Sequence, residues 1–174
     1  MARILTLLLL LPAMVFSQEA ETVVKEGAPS DLKEEKIIIL KHSKIEVTAD
    51  KKGGREAKYI YLRQTNHNQV VGEANEKLAE AAMEYPYGYA IASKSSYEAL
   101  LKAGYKYVLD SKAYDYEHVS VQPNEGELII FEYFLRDIAN NVAYKVFELD
   151  EMKIYDSKLL IKKLNKAVRK AEAE

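Results

Sequence analysis

Residues 75–111 read NEKLAEAAMEYPYGYAIASKSSYEALLKAGYKYVLDS, and this stretch decides the predicted fold class. Apolar residues recur at helical spacing as far as Ala82. Pro86 then ends the helix, because a proline disfavours the α conformation of the residue before it. Residues 87–93 and 105–109 are rich in strand-forming residues. Helices that alternate with strands in this way predict crossover connections and a sheet that is at least partly parallel.

The short helix between those two strands is marked at both ends. Ser95 and Glu98 have the capping-box spacing, in which each side chain accepts a hydrogen bond from a backbone N–H of the other residue. Gly104 stands where a residue in the left-handed conformation ends a helix at low cost. These signals predict a helix over residues 96–103.

Further strands are predicted before this unit. Residues 36–41 (KIIILK) are a strand candidate buried on both faces, and the alternation of apolar and polar residues in 45–49 either extends it or makes a second strand. A turn at Gly53 and Gly54 leads to a predicted strand over 59–63. Together these strands predict a first hairpin.

A second hairpin and a last helix complete the predicted domain. Residues 127–137 form a long strand at the centre of the sheet, and 142–149 return as its partner. The turn lies at 140–141, because asparagine tolerates left-handed geometry. Asp156 or Ser157 caps the last helix, whose buried stripe comprises Leu160, Leu164, Ala167, Val168 and Ala171.

The chain divides into three predicted parts. Residues 1–17 combine Arg3, an apolar run and a small-residue cleavage site before Gln18, which is typical of a secretory signal peptide. Residues 18–35 are charged and show no apolar period, which indicates a flexible leader. Residues 36–174 are predicted to be a single α/β domain, with α+β as the alternative. We expect a mixed sheet of about five or six strands with about three helices.

Charge and cysteine content limit the functional classes. Lys and Arg number 25 against 27 Asp and Glu, and loss of Arg3 with the signal peptide leaves 24 against 27, a net charge of −3. This balance gives no general electrostatic case for nucleic-acid binding. The chain has no cysteine, so an exported protein of this sequence cannot use disulfides. Export to a bacterial periplasm or to the extracellular space fits this composition, and no transmembrane segment is predicted in the mature chain.

The polar run at 65–69 is the first candidate binding site. It is predicted to be a loop between a strand and the N-terminus of a helix, where backbone N–H groups and the helix dipole can bind an anion or a peptide carboxylate. Helix capping by one of its residues is the alternative explanation. The candidate residues are Thr65, Asn66, His67, Asn68 and Gln69.

A second candidate surface is aromatic. The chain has 13 tyrosines, and Tyr85, Tyr87 and Tyr89 surround Pro86 and Gly88 at the entry to a strand. Tyrosine is favoured at interfaces with proteins and other partners. Ordinary filling of strand positions is the alternative.

No familiar catalytic or metal-binding pattern is present. His42, His67 and His118 are the only histidines, and none lies at metal-ligand spacing from another. A metal site assembled from Asp115, Glu117 and His118 is the one alternative that the residue types allow. No serine lies in a nucleophile-elbow context. The sequence predicts neither a cofactor nor a metal.

The order of elements resembles a small exported α/β domain of bacterial envelope proteins. Examples are the amino-terminal domain of TolB, the periplasmic part of the curli secretion channel, and the lipoprotein activators of penicillin-binding proteins. The stretches AIASKSSYEALLKAGYKYVLDS and EYFLRDIANNVAYKVF carry the resemblance. The predicted first hairpin and the absence of a lipid-anchor cysteine depart from that pattern. The resemblance implies a non-catalytic module for assembly or binding.

The sequence therefore predicts an exported, non-enzymatic binding or assembly module with a protein partner in the cell envelope. Two alternatives remain open. One is a hydrolase whose unfamiliar site includes residues 65–69 and His118. The other is a carrier that encloses a small ligand in an apolar cavity. The basic face of the last helix is predicted either to meet an anionic surface or simply to be solvated.

Overall fold

The computed structural model of the protein describes residues 22–111 and 117–173. The predicted signal peptide at 1–17 lies outside this range. The described residues form six strands and four helices: β1 Val23–Glu26, β2 Ile37–Leu40, α1 Arg55–Ala82, β3 Tyr89–Ala92, α2 Tyr97–Lys102, β4 Tyr107–Ser111, α3 Glu117–Ser120, β5 Ile130–Asp137, β6 Val142–Asp150 and α4 Ser157–Ala171.

The strands form one mixed sheet in the order β1-β6-β5-β4-β2-β3. β2 pairs in parallel with both β3 and β4, and β5 pairs antiparallel with β4 and with β6. The chain goes from β2 outward to β3 and then crosses back to β4 on the other side of β2. The switch point of the topology therefore lies between β2 and β4, and the predicted α/β fold with a mixed sheet is confirmed.

The core lies between the sheet and two helices that pack on it, α1 and α4. All four residues of β2 are at most 3% exposed, as a strand buried on both faces requires. On β5, one face is buried at Phe131, Tyr133 and Leu135. The α4 stripe is buried at Leu160, Leu164 and Val168, with Ile161 added to it. Removal of this apolar area from water supplies the main folding free energy.

The second hairpin is confirmed, and local chemistry explains its geometry. Asn141 adopts a φ of 52°, and the Asp137 carboxylate accepts a hydrogen bond from the backbone N–H of Asn140 at 3.1 Å. Opposite the Tyr133–Phe134 step, the pairing skips Val146 as a β-bulge. Beyond the bulge Phe147 points into the core, where its ring stacks on that of Tyr133 at 4.8 Å.

The predicted first hairpin is wrong, and so is the predicted loop at 65–69. Residues 55–82 form one 28-residue helix, α1, that contains both the last strand predicted for that hairpin, 59–63, and the predicted loop. The buried positions in its first half are polar, Gln64 and His67, so an apolar period becomes visible only from Val71 onward. Leu62, at the middle of this helical half and within the predicted strand 59–63, is 55% exposed.

Two further predictions fail at residues 22–49. Residues 45–49 are extended but are not a strand of the sheet. The described part of the predicted flexible leader, residues 22–35, packs onto the domain. It supplies edge strand β1, and its Leu32 is 1% exposed. The Asp31 carboxylate also pairs with Lys106 and accepts a hydrogen bond from the Tyr107 hydroxyl at 2.7 Å.

The helix ends agree with the sequence signals in part. Asp156 caps α4 by accepting a hydrogen bond from the backbone N–H of Leu159 at 3.0 Å, and Gly104 has the expected positive φ of 88° after α2. The capping box does not form. Ser96 is the N-cap of α2, and its hydroxyl bonds instead with Ser93. Within residues 22–111 and 117–173, no helix is long and apolar enough to cross a membrane.

Candidate functional site

Three histidines meet at the carboxyl ends of β2 and β4. His42 lies two residues after β2, His118 lies in α3 after β4, and His67 projects from α1. The crevice at a topological switch point is where open α/β sheets commonly bind ligands. The topology therefore assembles a polar cluster that no spacing in the sequence indicates.

The cluster is buried and closely packed. The rings of His67 and His118 lie 5.2 Å apart edge to face, and each residue is 2% exposed. The ring of Tyr155, just before α4, lies 5.2 Å from that of His42 and 5.9 Å from that of His67. Four aromatic side chains that carry polar atoms thus share one interior space.

The hydrogen bonds of His67 fix its tautomer. Its Nε2 lies 2.8 Å from the backbone oxygen of Ser43, which can only accept, so Nε2 carries the hydrogen. In the neutral ring, Nδ1 then accepts from the Tyr155 hydroxyl at 2.6 Å. Both ring nitrogens of His67 are therefore engaged inside the protein.

Burial keeps His42 and His67 uncharged at neutral pH. Desolvation, reinforced by the two neighbouring histidines, lowers the pKa of His42 to about 3. Desolvation also lowers the pKa of His67, although its bond to the Ser43 carbonyl opposes this shift. The pKa of Tyr155 is raised by burial to about 12, against the opposing effect of Arg63.

Amide side chains of α1 hold residues 42–49 beside the cluster. Asn75 accepts from the backbone N–H of His42 and donates to its carbonyl, both at 2.9 Å. Asn68 makes the same pair of bonds to Ile45, at 2.9 and 2.8 Å. The Gln64 side-chain oxygen accepts from the backbone N–H groups of Thr48 and Ala49 at 3.1 Å. The amide side chains of α1 thus satisfy backbone N–H and C=O groups of this segment, as a neighbouring strand would do in a sheet.

A cleft of about 180 Å³ lies outside the cluster. At its wall, Arg63 pairs with Glu151 at 2.8 Å, and both side chains are about 15% exposed. The guanidinium also donates to the His118 carbonyl at 3.3 Å and to the Tyr59 hydroxyl at 3.1 Å. The cleft is lined by Tyr59, Arg63, Asn66, His118, Val119, Glu151, Met152, Ile154 and Tyr155.

The five candidate residues at 65–69 do not form one site. His67 is buried in the histidine cluster and Asn68 holds Ile45, whereas Asn66 and Gln69 are exposed and Thr65 is half-buried. They cannot share a surface, because successive residues of a helix point in different directions. The anion site argued for them also loses its basis, since the helix N-terminus lies at Arg55.

The tyrosine corner, which we define as Tyr85, Tyr87 and Tyr89, is brought together by the fold. The Tyr85 ring lies 5.4 Å from that of Tyr87 and 6.1 Å from that of Tyr89. Tyr85 is a core residue at 3% exposure, which corrects its prediction as a surface residue. Tyr87 and Tyr89 are half-buried, and Tyr87 lines a cleft of about 250 Å³ together with Glu84, Pro86, Asn165 and Arg169.

In the described part of the chain, no group of three or more His, Cys, Asp or Glu residues is arranged to hold a metal ion. The metal alternative involving Asp115 and the Glu117 side chain lies outside the described residues. Comparisons with protein-family models, with curated proteins and with solved structures found no match to this chain.

Sequence reasoning missed most of the residues that build the cluster and its support. His42 and Tyr155 carry no local signal. A local signal does exist for Gln64, Asn68 and Asn75, because these residues fall on the helical spacing of the buried stripe of α1. The polar stripe on this helix face indicates pairing with another polar segment.

Proposed function

We propose that this protein is an exported, non-enzymatic binding or assembly module of the bacterial envelope that binds a protein partner. The observation that carries its non-enzymatic part is that hydrogen bonds inside the protein engage both ring nitrogens of His67, and the directions of the pKa shifts agree with it. A general acid or base works best with a pKa near the operating pH. The pKa of His42 and that of Tyr155 move away from neutrality instead, to about 3 and about 12.

The hydrogen bonds support the same interpretation. Both ring nitrogens of His67 are used to hold Ser43 and Tyr155, and Arg63 is neutralised by Glu151. A catalytic group must instead reach the substrate with a free donor or acceptor. These polar groups fasten residues 42–49 and α3 to α1, which is a structural role.

The partner surface that we propose is the open edge of β3 beside the tyrosine corner. In the described sheet β3 has only β2 as a neighbour, so the backbone groups on its other side face outward. An extended peptide can add to such an edge as a further strand. Tyr87 and Tyr89 stand at the start of this edge and offer the amphipathic rings that protein interfaces favour.

Export and the envelope assignment rest on the sequence. The signal-peptide pattern of residues 1–17 and the resemblance to envelope assembly domains support them. The described element order from β2 to α4 has the strand, helix, strand, helix, strand, hairpin, helix succession on which that resemblance was based, with α3 added between β4 and the hairpin.

We expect protein that begins at Gln18 to capture a stoichiometric partner from envelope extract, and the double variant Tyr87→Ser, Tyr89→Ser to lose at least about 90% of that capture. Two interface tyrosines of about 1–2 kcal/mol each account for such a loss. Tyr85 stays unchanged because it belongs to the core. The matched control replaces a half-buried tyrosine of α1 outside the candidate site, Tyr61, by Ser. Equal capture by wild type and the Tyr87/Tyr89 variant would place the partner elsewhere.

A hydrolase is the second candidate, favoured by the convergence of His67 and His118 beside a cleft at the switch point. Its test is turnover of a panel of esters, phosphates, glycans and peptides, with His67→Gln as the variant that abolishes it. Such turnover would overturn the binding-module proposal. The carrier alternative needs an enclosed apolar cavity, whereas two clefts of about 520 Å³ are lined mainly by polar and charged residues.

A further inference from the structure

Every exposed residue of α4 is a cation. The helix contains six Lys and Arg residues and no Asp or Glu between Ser157 and Ala171. Its 15 residues span about 22 Å. Four lysines, Lys158, Lys162, Lys166 and Lys170, follow one another at intervals of four residues, so they lie along one side of the helix. We define the lysine face of α4 as its exposed residues, Lys158, Lys162, Lys166, Arg169 and Lys170.

Three lysines of this face, Lys158, Lys162 and Lys166, differ from several others in the protein. Lys145 bridges Glu132 and Glu148, and Lys77 and Lys153 each pair with an acid three or four residues earlier in the chain. For Lys158, Lys162 and Lys166, by contrast, residues 22–111 and 117–173 provide no ion pair. The acids that flank α4 directly in the sequence are already engaged, since Asp156 caps the helix and Glu172 pairs with Lys33.

The apolar side of α4 is not available for binding. Leu160, Ile161, Leu164 and Val168 are each at most 2% exposed in the core. The lysine face therefore has no aromatic or aliphatic side chain to insert into a partner. Any attraction that it exerts is electrostatic.

We propose that the lysine face of α4 docks the protein reversibly onto the surface of an anionic phospholipid membrane. Lysine is a strongly hydrated point charge, which suits a diffuse layer of headgroups. The core of a protein interface, in contrast, is enriched in Tyr, Trp and Arg and depleted in Lys. Because the apolar stripe stays in the core, the helix lies on the membrane without inserting into it, unlike an amphipathic anchor.

The size of the effect follows from the number of lysines. Each lysine near an anionic surface contributes about fivefold in affinity, so Lys158, Lys162 and Lys166 together contribute about a hundredfold. Salt weakens this attraction, because the Debye length is only about 8 Å at physiological ionic strength. Charges that lie more than one Debye length from the membrane are largely screened. The net negative charge of the whole chain therefore does not prevent docking of the lysine face.

The test is co-sedimentation with vesicles of phosphatidylglycerol and phosphatidylethanolamine at low salt. Protein that begins at Gln18 is used, because it keeps every described element and lacks the apolar run of residues 1–17. We expect binding that disappears in 0.5 M salt and on pure phosphatidylcholine. The triple variant Lys158→Gln, Lys162→Gln, Lys166→Gln should bind about a hundredfold more weakly at an unchanged Tm.

A matched variant separates the lysine face from net charge. Lys41→Gln, Lys44→Gln, Lys52→Gln removes three exposed lysines elsewhere and should weaken binding less than threefold. Equal losses in the two triple variants would overturn the proposal, as would unchanged binding by the α4 variant or equal binding to neutral vesicles. Loss of vesicle binding with retained capture of the β3-edge partner would leave the proposed function intact.

Discussion

The Asn75→Leu variant is expected to lose about 2–5 kcal/mol of unfolding free energy. Asn75 satisfies both the N–H and the carbonyl of His42, which is 5% exposed. Leucine removes both bonds and keeps both backbone groups buried, and each buried group that loses its partner costs about 1–3 kcal/mol. Chemical denaturation measures the loss, and an unchanged m-value would show that the native and unfolded states are otherwise comparable.

The control for this variant is Asn66→Leu. Asn66 lies on the same helix but is exposed, so its replacement is expected to change stability by no more than about 0.5 kcal/mol. If the two variants proved equally stable, the amides of α1 would not be supporting residues 42–49. The structural account of the cluster would then fail.

The second large effect is a loss of stability in mild acid. The pKa of His42 is about 3 in the folded protein against 6.5 as its ordinary value, so between these values the unfolded chain binds a proton that the folded protein does not. Unfolding therefore becomes easier as the pH falls. His42 alone removes about 2 kcal/mol between pH 6.5 and pH 5, and the lowered pKa of His67 acts in the same direction.

The variant that checks this is His42→Phe, which keeps an aromatic ring beside Tyr155 and removes the titrating group. Its unfolding free energy should fall less steeply between pH 6.5 and pH 5 than that of the wild type, by about 1 kcal/mol per pH unit. The comparison uses slopes, so any constant cost of the substitution cancels. Parallel slopes would show that His42 is already protonated or exposed in the native state.

Most of the sheet could be predicted because its signals are local. The run Ile37–Leu40, the alternation along β5, the left-handed Asn141 and the cap at Asp156 each reflect the immediate neighbourhood of the residue. Hydrophobic periodicity and turn chemistry are sufficient in such places. The same is true of α4, whose apolar stripe and cationic face alternate with the helical period.

The first half of α1 could not be recognised in this way. Its buried face at Gln64 and His67 is polar, and it becomes favourable only when residues 42–49 arrive to accept and donate hydrogen bonds. β1 has the opposite difficulty: all four of its residues are exposed, and its existence depends on pairing with β6. In both cases long-range pairing outweighs local pattern.

The candidate site escaped prediction for a topological reason. His42, His67 and His118 are separated by at least 24 residues along the chain, and only the crossing from β3 to β4 places the ends of β2 and β4 side by side. The tyrosine corner was easier, because Tyr85, Tyr87 and Tyr89 are close in sequence. Even there, the burial of Tyr85 depends on tertiary packing, which the neighbouring residues in the sequence do not indicate.

The central claim is that the histidine cluster is a neutral structural support and not an acid–base centre. Its most direct test is a side-chain ¹⁵N NMR titration of the histidines between pH 8 and pH 5.5, with His67→Gln used for assignment. We expect His67 to show the neutral tautomer with hydrogen on Nε2 at pH 8, and His42 to remain neutral throughout while the protein stays folded. Reversible protonation of either ring with a midpoint near pH 7 would contradict the account and favour the hydrolase.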